Sequence, residues 1–373
     1  MIYLDHAATT FPKPGSVLRE VERCITTYCG NAGRGAHPLA LASAEAIYST
    51  RVALSDFLHL GAPERIIFTQ NTTHALNLAL QGFLRPGTHV LISELEHNAV
   101  LRPLCALRDA GRITFDVFPV LGHSKAEVLE GIRDRCHRHT SAVVCTHASN
   151  ICSVTLPLDE IGALCKEKGL TFIVDAAQSA GHLPIDMQKM QISALALPSH
   201  KGLLGIQGAG ALALGEGFLP EPLLYGGSGV ASLSTEMPPE PPERYEAGTL
   251  PTPAIVSMQK GVEFLQALGL DVIGAHVNAL FAAMRERLLS LPDIRIYQAE
   301  QPGAILLFSQ KGHSSAELAH RLAGAEICCR AGLHCAPLAH KALGTPQDGA
   351  VRLSFGIFNR REDADAVWKA LKA

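Results

Sequence analysis

The sequence predicts an α/β fold: a large domain built on a mostly parallel sheet, joined to a smaller C-terminal α+β domain. Three observations carry that expectation. Short runs rich in valine and isoleucine alternate with longer amphipathic stretches, the pattern of buried strands covered by helices on both faces. The alternation stops at a long Gly-, Pro- and Ser-rich segment, beyond which the character of the chain changes. At 373 residues the chain also exceeds the size at which a single hydrophobic core stops growing.

In chain order, RIIFT, HVLIS, ITFDVFPV, AVVCTHAS, TFIVDAAQ and GALALG are the strand candidates. THALNLALQGFL, AVLRPLCALRDA and LDEIGALCKEKG are helix candidates lying between them. Ligands in such sheets gather beyond the carboxyl ends of the strands, so the chemistry is expected where these runs give way to loops. After GALALG, the stretch GEGFLPEPLLYGGSGVASLSTEMPPEPPERYEAGTLPTP reads as a long functional loop. A helix is expected from Ala254 to Leu268, followed by α+β structure to the end. The large domain is therefore assigned to residues 15–253, with the boundary near Pro253, and the small one to 1–14 and 254–373.

Composition narrows the function. Hydrophobic residues make up 47% and charged ones 18%, as in ordinary globular chains. The net charge of -3, without long blocks of like charge, argues against nucleic acid or an anionic membrane as partner. MIYLDHAATTFPKP does not read as a secretory signal and no run of about 18 apolar residues occurs, so a cytoplasmic location is expected. Ten cysteines without a CxxC pair and seventeen histidines without HExxH give no metal pattern, and the thiols are expected to be reduced.

Lys201 in LALPSHKGLLG is the only formally charged side chain between Met190 and Gly215. Desolvation lowers a lysine pKa and turns the ammonium into a nucleophilic amine; a structural lysine reaching for the surface is the alternative. Three strand ends add polar groups. RIIFTQNTTHALNLAL sets Thr72 and Thr73 near a helix start, which is an anion site or plain threonine capping. TFIVDAAQSAG ends a strand on Asp175, in need of a cationic or hydrogen-bonded partner or else a turn former. HVLISELEHNAV delivers His97, which alone is as readily a packing or capping residue. Together these are the parts of a pyridoxal 5'-phosphate site: Lys201 to condense with the aldehyde, Thr72 and Thr73 for the phosphate, and Asp175 for the pyridine nitrogen.

The sequence resembles the class V aminotransferase superfamily and, within it, the cysteine desulfurases of the group that includes selenocysteine lyase-like proteins. The resemblance runs in order through YLDHAATTFP, GNAGRGAH, TQNTTHALNL, EHNAVLRP, HASN, VDAAQSAGH, SHKGLLG, YEAGTLPTP, CRAGLHCAP and VRLSFGIFN. It implies the type I fold of pyridoxal phosphate enzymes, with Lys201 as the cofactor lysine and Asp175 on the pyridine nitrogen. Gln178 would contact the ring oxygen with Asn150 near it, and His97 would stack on the ring. Thr72, Thr73, His200 and Thr249 of the partner subunit in a homodimer would bind phosphate. Arg352 would clamp the substrate carboxylate, with Arg330 and Asn150 in the substrate site. Cys335 would be the nucleophile, its thiolate favoured by nearby cationic groups, which takes sulfur from L-cysteine as a persulfide and leaves L-alanine. A sulfur-acceptor or scaffold protein and a role in sulfur mobilisation and iron–sulfur cluster assembly are implied as well.

The chain departs from the family pattern at Pro198 and Ser199, where a hydroxyl residue and glycine usually precede His-Lys. Losing one hydrogen bond to the phosphate would cost about 1.5–3 kcal/mol, and Ser199 is a possible substitute donor. Ile206, Cys152-Ser153 and Pro251 depart likewise. A selenocysteine lyase, a sulfinate desulfinase or another enzyme of this fold, with Cys335 a bystander, is the nearest alternative; a catalytically silent binding protein is another.

Overall fold

A seven-stranded sheet runs in the order Ile66–Thr69, Gly210–Leu214, Ala194–Pro198, Thr171–Asp175, Thr140–Thr146, Thr88–Ser93 and Ile113–Phe118. Gly210–Leu214 is antiparallel to both neighbours, and the remaining pairs are parallel, as expected from the sequence. The structure, a computed structural model, describes residues 1–33, 35–298 and 300–372. Arg34 of GNAGRGAH, and Ala299 and Ala373 of the expected small domain, lie outside the described residues.

The period of two along each strand sends alternate side chains to opposite faces. Val144, Ile173, Ala194 and Ala196 pack with Leu76, Leu80, Val100 and Leu104 on one side. Val143, Phe172, Val174, Leu195 and Leu197 pack on the other with Ile132, Ile161 and Leu164. Helices Thr72–Phe83 and Asn98–Asp109 thus cover the first face, and Lys125–Arg135 and Leu158–Lys168 the second.

The Ala194–Pro198 strand was not among the sequence-derived strands. All five of its residues are buried, so it lacks the polar alternation that marks a half-exposed strand, and it ends on a proline. Residues 215–251 contain neither helix nor strand. The following helix starts at Thr252, two residues earlier than expected, because Pro253 fits the first turn. Leu270–Leu289 continues it at 82° across Gly269. A second, antiparallel sheet has the order Arg330–Gly332, Ala350–Ser354, Ile305–Gln310, Ile294–Tyr297. Ile2–Tyr3 pairs with Ile327–Cys328 and brings the N-terminus beside that sheet. Among the described residues no single helix is long and apolar enough to cross a membrane.

Candidate active site

Loops at the carboxyl ends of the parallel strands enclose a cavity of about 90 Å³ that brings together Thr72, Thr73, His97, Asn150, Asp175, Gln178, His200 and Lys201. A roomier cavity of about 770 Å³ lies on the other side of the 148–155 loop, with Cys152 and Ser153 on its wall; it shares Gln178 but does not reach Lys201. Chemistry rather than size therefore selects the site.

The anion end begins at Asn71. Its side chain caps helix Thr72–Phe83 by accepting from the His74 N–H at 2.9 Å, so threonine capping does not account for Thr72 and Thr73. These two supply the first N–H groups of the helix, which have no intrahelical carbonyl to meet. Thr72 Oγ1 and His200 Nδ1 are buried without a hydrogen-bond partner. Orphaned polar atoms beside a helix start call for an anionic ligand. A phosphate-bearing aldehyde fits this set: donors at one end and a lysine with a buried carboxylate at the other.

Asp175, at the end of its strand, is buried and accepts from the Ala177 N–H at 2.8 Å. Burial raises its pKa, while the Ala177 bond and the Lys201 charge hold it down. For Lys201, burial is the main cause of a pKa lowered to about 8; Asp175 opposes that, and Arg352 and Arg330 reinforce it. His97 caps helix Asn98–Asp109, its Nδ1 accepting from Ala99 N–H at 3.0 Å. Burial, followed by the Lys201, Arg330 and Arg352 charges, lowers its pKa to about 4, so the ring is neutral. His97 thus caps a helix and also lines the cavity. His200 is likewise lowered to about 4, first by burial and then by Lys201 and Lys13. Gln178 donates to the Ala7 carbonyl at 3.0 Å.

Ser199 is not brought to this cavity. It is fully buried, in the turn that follows strand Ala194–Pro198, with its hydroxyl 3.4 Å from that of Ser257. It therefore does not replace the hydroxyl missing at Pro198. Thr249 is exposed and lines a separate groove with Asn31, Tyr48 and Gly227, away from Lys201 of its own chain. Arg352 is 1% exposed; it donates from Nη2 to Asp5 and from Nη1 to the Asn150 carbonyl, both at 2.9 Å, while Nε lacks a partner. Its guanidinium is thus already paired rather than standing free for a substrate carboxylate. Arg330 is exposed and lies opposite Arg352 in the antiparallel pair.

Cys335 sits in the turn between strand Arg330–Gly332 and helix Pro337–Leu343. His334 and Cys335 have φ of 49° and 56°, a left-handed pair that costs about 1–2 kcal/mol per residue for side chains other than glycine. The turn is tied to the cavity wall at both carbonyls. Asn150 Nδ2 donates to the His334 carbonyl at 2.7 Å, and the Asn98 N–H to that of Cys335 at 2.8 Å.

Sequence reasoning missed several participants. Asp5 is Arg352's partner across 347 positions of sequence. Thr9, Thr10 and Lys13 all donate to the His200 carbonyl, strapping the YLDHAATTFPKP segment beside Lys201; the density of polar residues in that segment was the available signal. Glu96 is fully buried, its Oε1 accepting from the Thr146 N–H at 2.8 Å and its Oε2 unpartnered. Burial raises its pKa to about 8, so it is an uncharged acid beside His97.

A family model described as Aminotransferase class-V matches residues 2–367. A probable cysteine desulfurase of Methanothermobacter thermautotrophicus is 31% identical over 100% of this chain and 94% of its own. One of Mycolicibacterium paratuberculosis is 30% identical over 100% of this chain, which spans only 55% of that longer protein. The apo structure of a cysteine desulfurase from Thermococcus onnurineus NA1 superposes with a TM-score of 0.89 at 28% identity, over 100% of this chain and 94% of that one.

Proposed function

The chain belongs to the class V aminotransferase family, and from that premise we propose that it is a pyridoxal phosphate-dependent cysteine desulfurase. It converts L-cysteine to L-alanine and collects the sulfur on Cys335. The observation that carries this reading is the tether of the Cys335 turn to Asn98 and Asn150, the residues flanking His97 and the Lys201 cavity.

When bound, pyridoxal phosphate supplies an electron sink that makes the α-proton of an amino acid removable. Thr72, Thr73 and His200 would hold its phosphate, Asp175 its ring nitrogen, His97 its face, and Asn150 and Gln178 its ring oxygen. The second phosphate contact expected from Thr249 would come across a homodimer. Lys201, as a free amine with a pKa near 8, is suited to take a proton from the substrate α-carbon and return it. Neutral His97 adds no charge that would oppose that transfer. Arg352, with Arg330 beside it, receives the substrate carboxylate, which must share the guanidinium with Asp5. Cys335 attacks the substrate sulfur: the S–S bond forms as the carbon–sulfur bond breaks, and the carbon skeleton gains the proton that completes alanine. A persulfide remains on Cys335 for an acceptor protein, and such sulfur supply suits a cytoplasmic enzyme. Residues 15–253 form the cofactor-binding domain in this reading, with 1–14 and 254–373 as the domain bearing Cys335.

The test is Cys335→Ala, with alanine and sulfide assayed separately. Loss of sulfide release with the absorbance response of the bound cofactor to cysteine retained is the expected result. Undiminished sulfide release would sink the assignment of Cys335.

A further inference from the structure

The turn that presents Cys335 is held from behind by two imidazoles that the proposed reaction does not use. His334 Nε2 lies 3.2 Å from the Arg330 carbonyl, and its Nδ1 lies 3.2 Å from His340 Nε2. His340 Nδ1 in turn lies 2.9 Å from Thr345 Oγ1. A carbonyl only accepts, so His334 carries its proton on Nε2 and its Nδ1 is an acceptor. His340 must then donate from Nε2, leaving its Nδ1 to accept from the Thr345 hydroxyl. The three bonds run in one direction, from Thr345 to Arg330, with the two rings 12° from parallel at 5.4 Å. Both imidazoles are buried. The far end is fixed too, because the Thr345 N–H bonds to the His340 carbonyl at 3.2 Å.

We propose that His340, backed by Thr345, is a positioning residue for Cys335: by fixing the His334 ring it holds the left-handed turn whose carbonyls bond to Asn150 and Asn98. The proposal rests on Cys335 being the sulfur acceptor. Asn150 and Asn98 hold only the carbonyls of this turn, whereas the relay holds the ring. Without His340, the buried Nδ1 of His334 loses its donor, and the ring has reason to leave its place and take the turn with it.

The test mixes holoenzyme carrying His340→Leu or His340→Gln with one equivalent of L-cysteine, then quenches it. Sulfur on Cys335 is read by mass spectrometry, and the absorbance of the bound cofactor is followed in parallel. Glutamine can donate to His334 Nδ1 and accept from Thr345; leucine can do neither. His340→Leu is expected to slow the arrival of sulfur on Cys335 by about 10²-fold, the scale of a small misplacement of a reacting group. Its absorbance response to cysteine should persist, and His340→Gln should recover to within a few-fold of wild type. If the leucine variant does not fold, Thr345→Val decides, a slower arrival of sulfur supporting the proposal and an unchanged rate overturning it. Equal rates for leucine variant and wild type, equal losses with leucine and glutamine, or joint loss of the absorbance response and sulfur transfer also overturn it. Wild-type enzyme that responds to cysteine yet gains no sulfur on Cys335 would overturn the underlying assignment instead.

Discussion

In the cofactor-free protein Lys201 is expected to lose its proton near pH 8, not near the ordinary 10.5. Burial is the largest cause, the Arg352 and Arg330 charges push the same way, and Asp175 and Asp5 resist. At pH 7 about one Lys201 amine in eleven is then free, against about one in three thousand for an unperturbed lysine, roughly a 300-fold gain in nucleophile. Trace acetylation of the apo-protein from about pH 6 to about pH 11, read peptide by peptide, measures the midpoint. Lys189 is an internal reference, since its bond to Asp159 on the surface raises its value. Asp175→Asn removes a stabilising charge and should lower the Lys201 midpoint further; Arg352→Leu removes a repulsive one and should raise it. The same shift governs stability. Because the folded value lies below the unfolded one, the charged Lys201 costs the fold about 3 kcal/mol at pH values below 8. That cost fades as pH rises from about 8 through 10.5, above which both states have lost the proton. A Lys201 midpoint matching that of Lys189, or shifts of the opposite sign in the two variants, would refute the assignment of a desolvated amine.

Two further outcomes concern the scaffold. Arg51 and Glu246 form a buried pair, with Arg51 Nη1 2.8 Å from Glu246 Oε1, which also accepts from the Phe68 N–H at 2.6 Å. Glu246→Ala strands the guanidinium and should cost about 3–5 kcal/mol in urea unfolding, much of it regained in an Arg51→Met, Glu246→Leu double variant; a single-variant loss below about 1 kcal/mol would contradict this. A Cβ at Gly261 would lie 1.8 Å from the Leu203 carbonyl oxygen, in the loop after Lys201. Gly261→Ala should therefore lower stability by about 1–3 kcal/mol and weaken cofactor retention on dialysis, whereas wild-type retention and Tm would show that the loop gives way freely.

The strand ends were legible because buried parallel strands have to be continuous runs of apolar residues, so Asp175 and His97 stand out at the points where such runs stop. Lys201 was legible for a similar reason, as a charge with no charged neighbours in sequence. What escaped was set by contacts distant in the chain. Asp5 meets Arg352, and His340 meets His334, only after the small sheet and its turn have formed. Ser199 is next to His200 in sequence, yet in the turn after the strand its hydroxyl lies against Ser257, a contact 58 positions away. Asn71 rather than Thr72 caps its helix, a choice between adjacent capping-type residues that local propensity leaves nearly even. Pro38–Phe57, a twenty-residue helix absent from the sequence reading, has an apolar pattern diluted by alanine, serine and threonine.

The antiparallel strand Gly210–Leu214 lies between the strand that feeds Thr72 and the strand that feeds Lys201. Neighbouring strands keep a spacing of about 4.8 Å, so the interval between the anion anchor and the amine is measured out in widths of sheet. Gly210 keeps that gauge closed, since a Cβ there would lie 2.8 Å from the backbone of Asn71 and from the Leu197 carbonyl oxygen. Point substitutions around the cavity can retune its affinity and reactivity, but the length of molecule it spans belongs to the order of the strands.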